Sequence, residues 1–206
     1  MLSRIFDTDN IVFRSISTVG YLWWLHILWL VCSLPVVTLG ASTTALCYSC
    51  MKLHKKEGHV TENFFRSFKE NFRQATALFL IFAVVGAVLI LDIFAGSSSG
   101  TTFGNLVKYC ALTLLIPYLL MAVYAFAIQA RFINPVGKTL KYSFFMALKY
   151  FKFTLQIICV IAAAVMLNTT IVLVNFVTLS MGMGIVMYIL TVYYNKIFSK
   201  VIEEQK

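Results

Sequence analysis

Long apolar runs separated by short charged segments dominate the chain. No Asp, Glu, Lys or Arg occurs between Arg14 and Lys52, a gap of 37 residues. Further gaps run from Arg73 to Asp92 (18 residues), Lys108 to Arg131 (22 residues) and Lys152 to Lys196 (43 residues). A helix rises about 1.5 Å per residue, so about 20 apolar residues cross the hydrocarbon core. The 18- and 22-residue gaps each predict one crossing. The 43-residue gap predicts two, joined by a polar turn near Asn168, Thr169, Thr170 and Asn175. Within the first gap, residues 19–34 are plainly apolar, whereas residues 36–53 are diluted by Thr38, Ser42, Thr43, Thr44 and Ser49.

Charge placement resolves that segment. Lys and Arg prefer cytoplasmic loops because translocating them is unfavourable. With residues 52–73 inside, Lys52, Lys55, Lys56, Arg66, Lys69 and Arg73 are cytoplasmic. The chain then crosses out, exposes Asp92 to Lys108, and returns to Arg131, Lys138, Lys141, Lys149 and Lys152. A last hairpin ends at Lys196, Lys200 and Lys206. If residues 36–53 also cross, Arg4 and Arg14 are inside, and 16 of 17 basic residues are cytoplasmic. A five-crossing arrangement with the N-terminus outside misplaces two more. The expected fold is therefore an all-α polytopic membrane bundle of about six transmembrane helices, with cytoplasmic amphipathic extensions and both termini cytoplasmic. Asp7 and Asp9, and the lack of a small-residue cleavage site, predict that the first span is an uncleaved anchor.

Two stretches before spans share a theme. Residues 63–74 predict Phe64, Phe65, Phe68 and Phe72 along one helical side, with Arg66, Lys69 and Arg73 on others. In residues 138–153, Lys138 and Lys149 lie 11 residues apart, as do Lys141 and Lys152, so each pair is expected to share a face opposite Leu140, Phe144, Leu148 and Phe151. Basic, aromatic, amphipathic helices suit the headgroup boundary. Aligning Phe64-Phe65 with Phe144-Phe145 also aligns Lys69 with Lys149, a weak parallel repeat (61–131 and 138–198) within one integral membrane domain, residues 1–206. Convergent anchoring explains the same pattern and is the simpler account. Pro135 is expected to open the second amphipathic helix, and Gly96–Gly100 is expected to be a flexible outer loop.

Composition agrees: 60% of residues are apolar and 12% charged, against about 45–50% and about 25% in soluble domains. A net charge of +9 would suggest nucleic acid in a soluble protein. Here it follows the flanks of spans, so it reads as a topology signal and an attraction to anionic lipid.

The most distinctive stretch is SLPVVTLGASTTA, residues 33–45, with Ser33, Pro35, Thr38, Gly40, Ala41 and Ala45. Gly40/Thr44 and Ala41/Ala45 are i,i+4 pairs that let another backbone approach closely. A broken helix whose free backbone groups bind a solute is the functional alternative. Packing is the commoner use of small residues in membranes, so a tight helical hairpin is expected. His26 sits mid-span, a functional suspect by default. No intramembrane carboxylate accompanies it in a proton relay, so a structural role is expected. Cys47 and Cys50 have redox-motif spacing without the accompanying fold, and His54 and His59 lack metal-ligand spacing. No nucleotide loop, Ser/His/Asp arrangement or paired carboxylate occurs. The chain is expected not to be an enzyme and to need no cofactor or metal.

The segments SLPVVTLGASTTAL, MKLHKKEG and FFRSFKENFRQAT resemble the YesL family of bacterial integral membrane proteins, specifically over residues 20–80 and more loosely beyond. The matching positions are Ser33, Pro35, Thr38, Gly40, Ala41 and Ala45, then Phe65, Phe68, Lys69, Asn71 and Phe72. The resemblance supplies no catalytic residues. It implies a bacterial cell-membrane protein with an accessory role in carbohydrate uptake or sensing, its partner a transporter permease or sensor kinase. A small solute transporter is the alternative. The bilayer itself and a cytoplasmic interface carrying Lys138, Lys141, Lys149 and Lys152 complete the expected contacts.

Overall fold

The structure is a computed structural model that describes residues 11–132, 134–170 and 172–204. The terminal segments, and with them Arg4, Lys206 and the placement of both chain ends, lie outside the described residues. Every regular element is helical: α1 (Ile11–Ser33), a 3₁₀ turn (Val36–Thr38), α2 (Leu39–Lys55), α3 (Val60–Ser98), α4 (Thr102–Arg131), α5 (Val136–Lys149) and α6 (Phe151–Thr170). The last helix, α7, runs in three parts: Val172–Val177, a π turn at Thr178–Gly182, and Met183–Glu203.

Five helices are long and apolar enough to cross a membrane: α1, α3, α4, α6 and α7. The sequence predicts about six crossings, and α2 is the difference. Its 17 residues span only about 26 Å at 1.5 Å each, and its composition is mixed. Yet α2 is the centre of the bundle, touching α1, α3, α4 and α7, with ten of its residues buried. Its hydroxyls turn back on its own backbone. Ser42 donates to Thr38 O (3.1 Å), Thr44 to Gly40 O (2.8 Å) and Ser49 to Ala45 O (2.9 Å). Helix α2 is short for a span and ends in a basic turn, Lys52, His54 and Lys55.

Helix α3, 39 residues long, is about 58 Å from end to end. It packs on α2 near Ala75 and Phe79, beside Gly40, and on α4 from Asn71 through Gly86 to Gly96. Gly96 belongs to this helix, not to a flexible loop as the Gly-Ser-Ser-Ser-Gly pattern predicts. A Cβ there would lie 2.5 Å from Gly104 O, so close helix contact, not chain freedom, selects glycine. The loop between α3 and α4 is reduced to Ser99–Thr101, with Gly100 at φ 60°. The Thr101 side chain caps α4 by accepting from Gly104 N.

The second half is built differently. Chain direction breaks at Tyr150 (φ −105°, ψ 41°), so Lys138, Lys141 and Lys149 ride on α5 while Lys152 belongs to α6. The predicted 11-residue pairing of Lys141 with Lys152 on one face therefore fails. No Gly or Pro marks the break.

Candidate functional site

The 33–45 motif forms the α1–α2 hairpin. Pro35 precedes the 3₁₀ turn. The Ser33 hydroxyl meets that of Ser42 at 2.6 Å, and Thr38 Oγ1 lies 2.5 Å from Cys32 O and 2.6 Å from Pro35 O. The turn thus satisfies carbonyls that helix ends leave free. Ala41 and Ala45 are fully buried. Gly40 is where α3 comes closest: an added Cβ would sit 2.2 Å from Ala75 O and 2.6 Å from Phe79 Cβ. This arrangement packs backbone on backbone, the geometry small residues permit.

The two amphipathic stretches turn small polar residues inward. In α3 the buried set is Asn63, Phe64, Ser67 and Asn71, while Phe65, Lys69 and Phe72 face out and Phe68 is half-buried. The four phenylalanines do not share one environment as the pattern predicts. In α5, Thr139, Ser143 and Ala147 are buried, and Tyr142, Phe145 and Leu148 are exposed together with Lys138, Lys141 and Lys149. Lys152 is exposed on α6. The Lys149 ammonium pairs with Glu204 at the end of α7, and each holds the other's charge: Glu204 is pushed below the usual carboxylate value and Lys149 above the usual amine value, first by their hydrogen bond. An apolar groove of about 400 Å³ opens here between Ile128, Phe132, Phe145 and Tyr150, with Lys149 on its wall.

A polar relay that sequence inspection misses ties these elements together. Gln129 Nε2 donates to Asn71 Oδ1 (3.2 Å), and Thr139 Oγ1 donates to Gln129 Oε1 (2.9 Å). Asn71 Nδ2 in turn donates to Ser67 O (3.1 Å), and Ser143 to Thr139 O (2.7 Å). Three helices are thereby fixed in register through fully engaged side chains. Asn71 is within the recurring motif; the signal for Gln129 is only that it is a lone amide near the end of an apolar run.

His26 is 3% exposed. Its Nε2 lies 3.0 Å from Leu179 O, in the π turn of α7, and its ring stacks on Trp29 with centroids 5.9 Å apart. The ring lines a cavity of about 500 Å³ between α1, α6 and α7, together with Asn168 and Gly182. π turns interrupt the regular ladder and recur at functional sites. Trp29 Nε1 is engaged elsewhere, donating to Thr43 Oγ1 at 3.2 Å. Cys47 and Cys50 are buried and unlinked. His54 stacks on Tyr188 at 3.9 Å, with Nε2 2.9 Å from Tyr188 O. Among the described residues no group of His, Cys, Asp and Glu could hold a metal.

Residues 22–93 match the model of a family described as "Protein of unknown function, DUF624". That segment covers the second half of α1, all of α2 and α3 to near its end, so the match rests on the hairpin and the first amphipathic stretch. No curated protein and no solved structure matches the chain.

Proposed function

We propose that this multi-pass membrane protein, which matches the DUF624 family model over residues 22–93, is a non-enzymatic accessory or regulatory component. Its partner is a carbohydrate transporter permease or a sensor kinase, as the resemblance to the YesL family suggests. The observation that carries this reading is the pair of outward faces on α3 and α5. Aromatic and basic side chains, Phe65, Lys69 and Phe72 on one and Tyr142, Phe145 and Lys149 on the other, stay exposed while small polar residues fill the interior. Aromatic anchors beside cations suit a protein surface that is itself held at the bilayer. The groove beside Lys149 gives such a partner a place to seat an apolar side chain.

In this reading α2 makes the sixth crossing, both termini are cytoplasmic, and the membrane is the bacterial cell membrane. On a cysteine-free background, a thiol reagent applied outside should modify cysteines placed at Ser98 and Thr169 and miss those at Lys56 and Gly137. External labelling at Lys56 overturns the topology. For function, the decisive measurement is affinity purification in mild detergent with identification of what co-purifies. A permease or sensor kinase retained by the wild type and lost with Phe145→Ser/Lys149→Glu supports the accessory role. Solute uptake by the protein alone in liposomes, without such a partner, supports the transporter alternative instead.

A further inference from the structure

Three buried side-chain polar atoms have no hydrogen-bond partner among the described residues: His26 Nδ1, Thr76 Oγ1 and Asn168 Oδ1. Two of their three residues line the same cavity, although they stand 142 positions apart in the chain. A buried polar atom left unpaired is unfavourable, so two on one cavity wall call for a ligand.

The chemistry of that ligand follows from the atoms. Leu179 O can only accept, so Nε2 of His26 carries the proton in the bond between them. In that tautomer Nδ1 is a bare acceptor. Asn168 Oδ1 is an acceptor as well. Asn175 and Thr178 also line the wall, but it is these two unpaired atoms that ask for hydrogen-bond donors. No Asp, Glu, Lys or Arg lines it, so a cationic donor would be desolvated without a counter-charge. Ordered water is a poor occupant, because each water needs two to four polar partners and most of the wall is Trp, Leu, Ile, Val and Met. The mouth is framed by exposed apolar residues: Leu30 on α1, Val165 on α6 and Leu179 in the π turn. Each lies on a helix long and apolar enough to cross a membrane, within a few turns of the α6 end at Thr170, so in the proposed topology the opening lies at the boundary of hydrocarbon and headgroups.

We propose that the His26–Asn168 cavity binds an uncharged lipid alcohol, the free hydroxyl of a glyceride entering from the bilayer. The hydroxyl donates to His26 Nδ1 or Asn168 Oδ1, and the hydrocarbon body lies along Trp29 and Val165. This site is separate from the groove at Lys149: Gly182 and Val201, which line the two, are about 28 Å apart along α7 at 1.5 Å per residue.

The full chain in phosphatidylcholine nanodiscs is titrated with 11-bromo-1-undecanol while tryptophan emission is followed; Trp29→Phe identifies the part of the quenching that comes from Trp29. The methyl ether of the same bromoalkanol is the control that keeps the chain and removes the donor. The alcohol should quench Trp29 saturably, at a half-saturating mole fraction at least five-fold below that of the ether. Asn168→Leu, which leaves the His26–Leu179 bond intact, should raise the alcohol's half-saturation five-fold or more, and His26→Phe should do the same. Dioleoylglycerol should displace the bromoalkanol. Equal quenching by alcohol and ether on the unaltered protein overturns the proposal without any variant. So does alcohol binding unchanged in both variants, or failure of dioleoylglycerol to compete.

Discussion

Helices α3–α4 and α5–α7 begin from the same sequence theme and end as different structures. In the first, a basic, aromatic stretch continues without interruption into the apolar span. In the second, α5 stops at Tyr150 and α6 sets off afresh. The difference lies in what holds each region. Helices α3 and α4 meet through glycines: Gly86 faces the Tyr118 hydroxyl, and Gly96 and Gly104 face each other's helices. Tyr118 donates to Phe82 O at 3.0 Å. The break at Tyr150 is instead held by hydroxyls. Thr154 Oγ1 lies 2.9 Å from Ala147 O, a carbonyl at the broken end of α5, and 2.9 Å from the Tyr124 hydroxyl. Tyr194, stacked edge-on against Tyr124, donates to Val123 O at 2.6 Å. One region is joined by backbone proximity, the other by buried hydroxyls that bridge the breaks.

The sharpest way to break this contrast is with glycine substitutions. Gly40→Leu should be the most damaging single change, because the added carbon would overlap Ala75 O and Phe79 Cβ. Overpacking costs about 1–3 kcal/mol and at times more, read as a lower thermal midpoint in detergent. Gly96→Leu should also destabilise, whereas Gly137→Leu in α5 should be nearly silent, since nothing lies within 4 Å of its added Cβ. Equal tolerance at Gly40 and Gly137 would remove the distinction between the regions.

Hydroxyl deletions should give the reverse ranking. Thr154→Val leaves Ala147 O and the Tyr124 hydroxyl without their shared partner, at about 1–3 kcal/mol. Thr76→Val in α3 removes an oxygen with no partner and should be neutral or stabilising. Gln129→Leu, which strips the relay from Asn71 and Thr139, should cost about as much as Thr154→Val. It should also loosen α5 more than α3, measured as faster amide exchange over residues 136–149 than over 60–74.

The smallest effect is electrostatic. Glu204 is held below the ordinary 4.5 of its side chain, chiefly by the Lys149 hydrogen bond. A depressed carboxylate contributes stability that is fully present above its unfolded value and is lost as pH falls through the folded one. Glu204→Gln should therefore lower the thermal midpoint slightly at pH 7 and leave it unchanged in acid. The pair is solvent-exposed, so raising salt should shrink even that difference.

Much of the architecture is legible without coordinates. Charge-free stretches mark the five long apolar helices, and a polar interruption falls where α6 ends at Thr170. Small residues at Gly40, Ala41 and Ala45 mark the place where α2 and α3 approach. These features are local: hydrocarbon demands length and apolarity from each span on its own, and close packing demands small side chains wherever backbones meet.

Direction of facing and the joints between helices were decided by tertiary structure alone. Inside a span both faces are apolar, so periodicity does not say which side meets protein, and Gly96 reads as loop until Gly104 is brought beside it. In α3 and α5 the pattern separates aromatic from basic positions, whereas the bundle, Phe64 excepted, turns both outward and small polar residues inward. The break at Tyr150 depends on Tyr124, and the orphaned acceptors of His26 and Asn168 share a cavity only because α1, α6 and the π turn of α7 converge. Partners separated by so many residues leave no local signal; only packing brings them together.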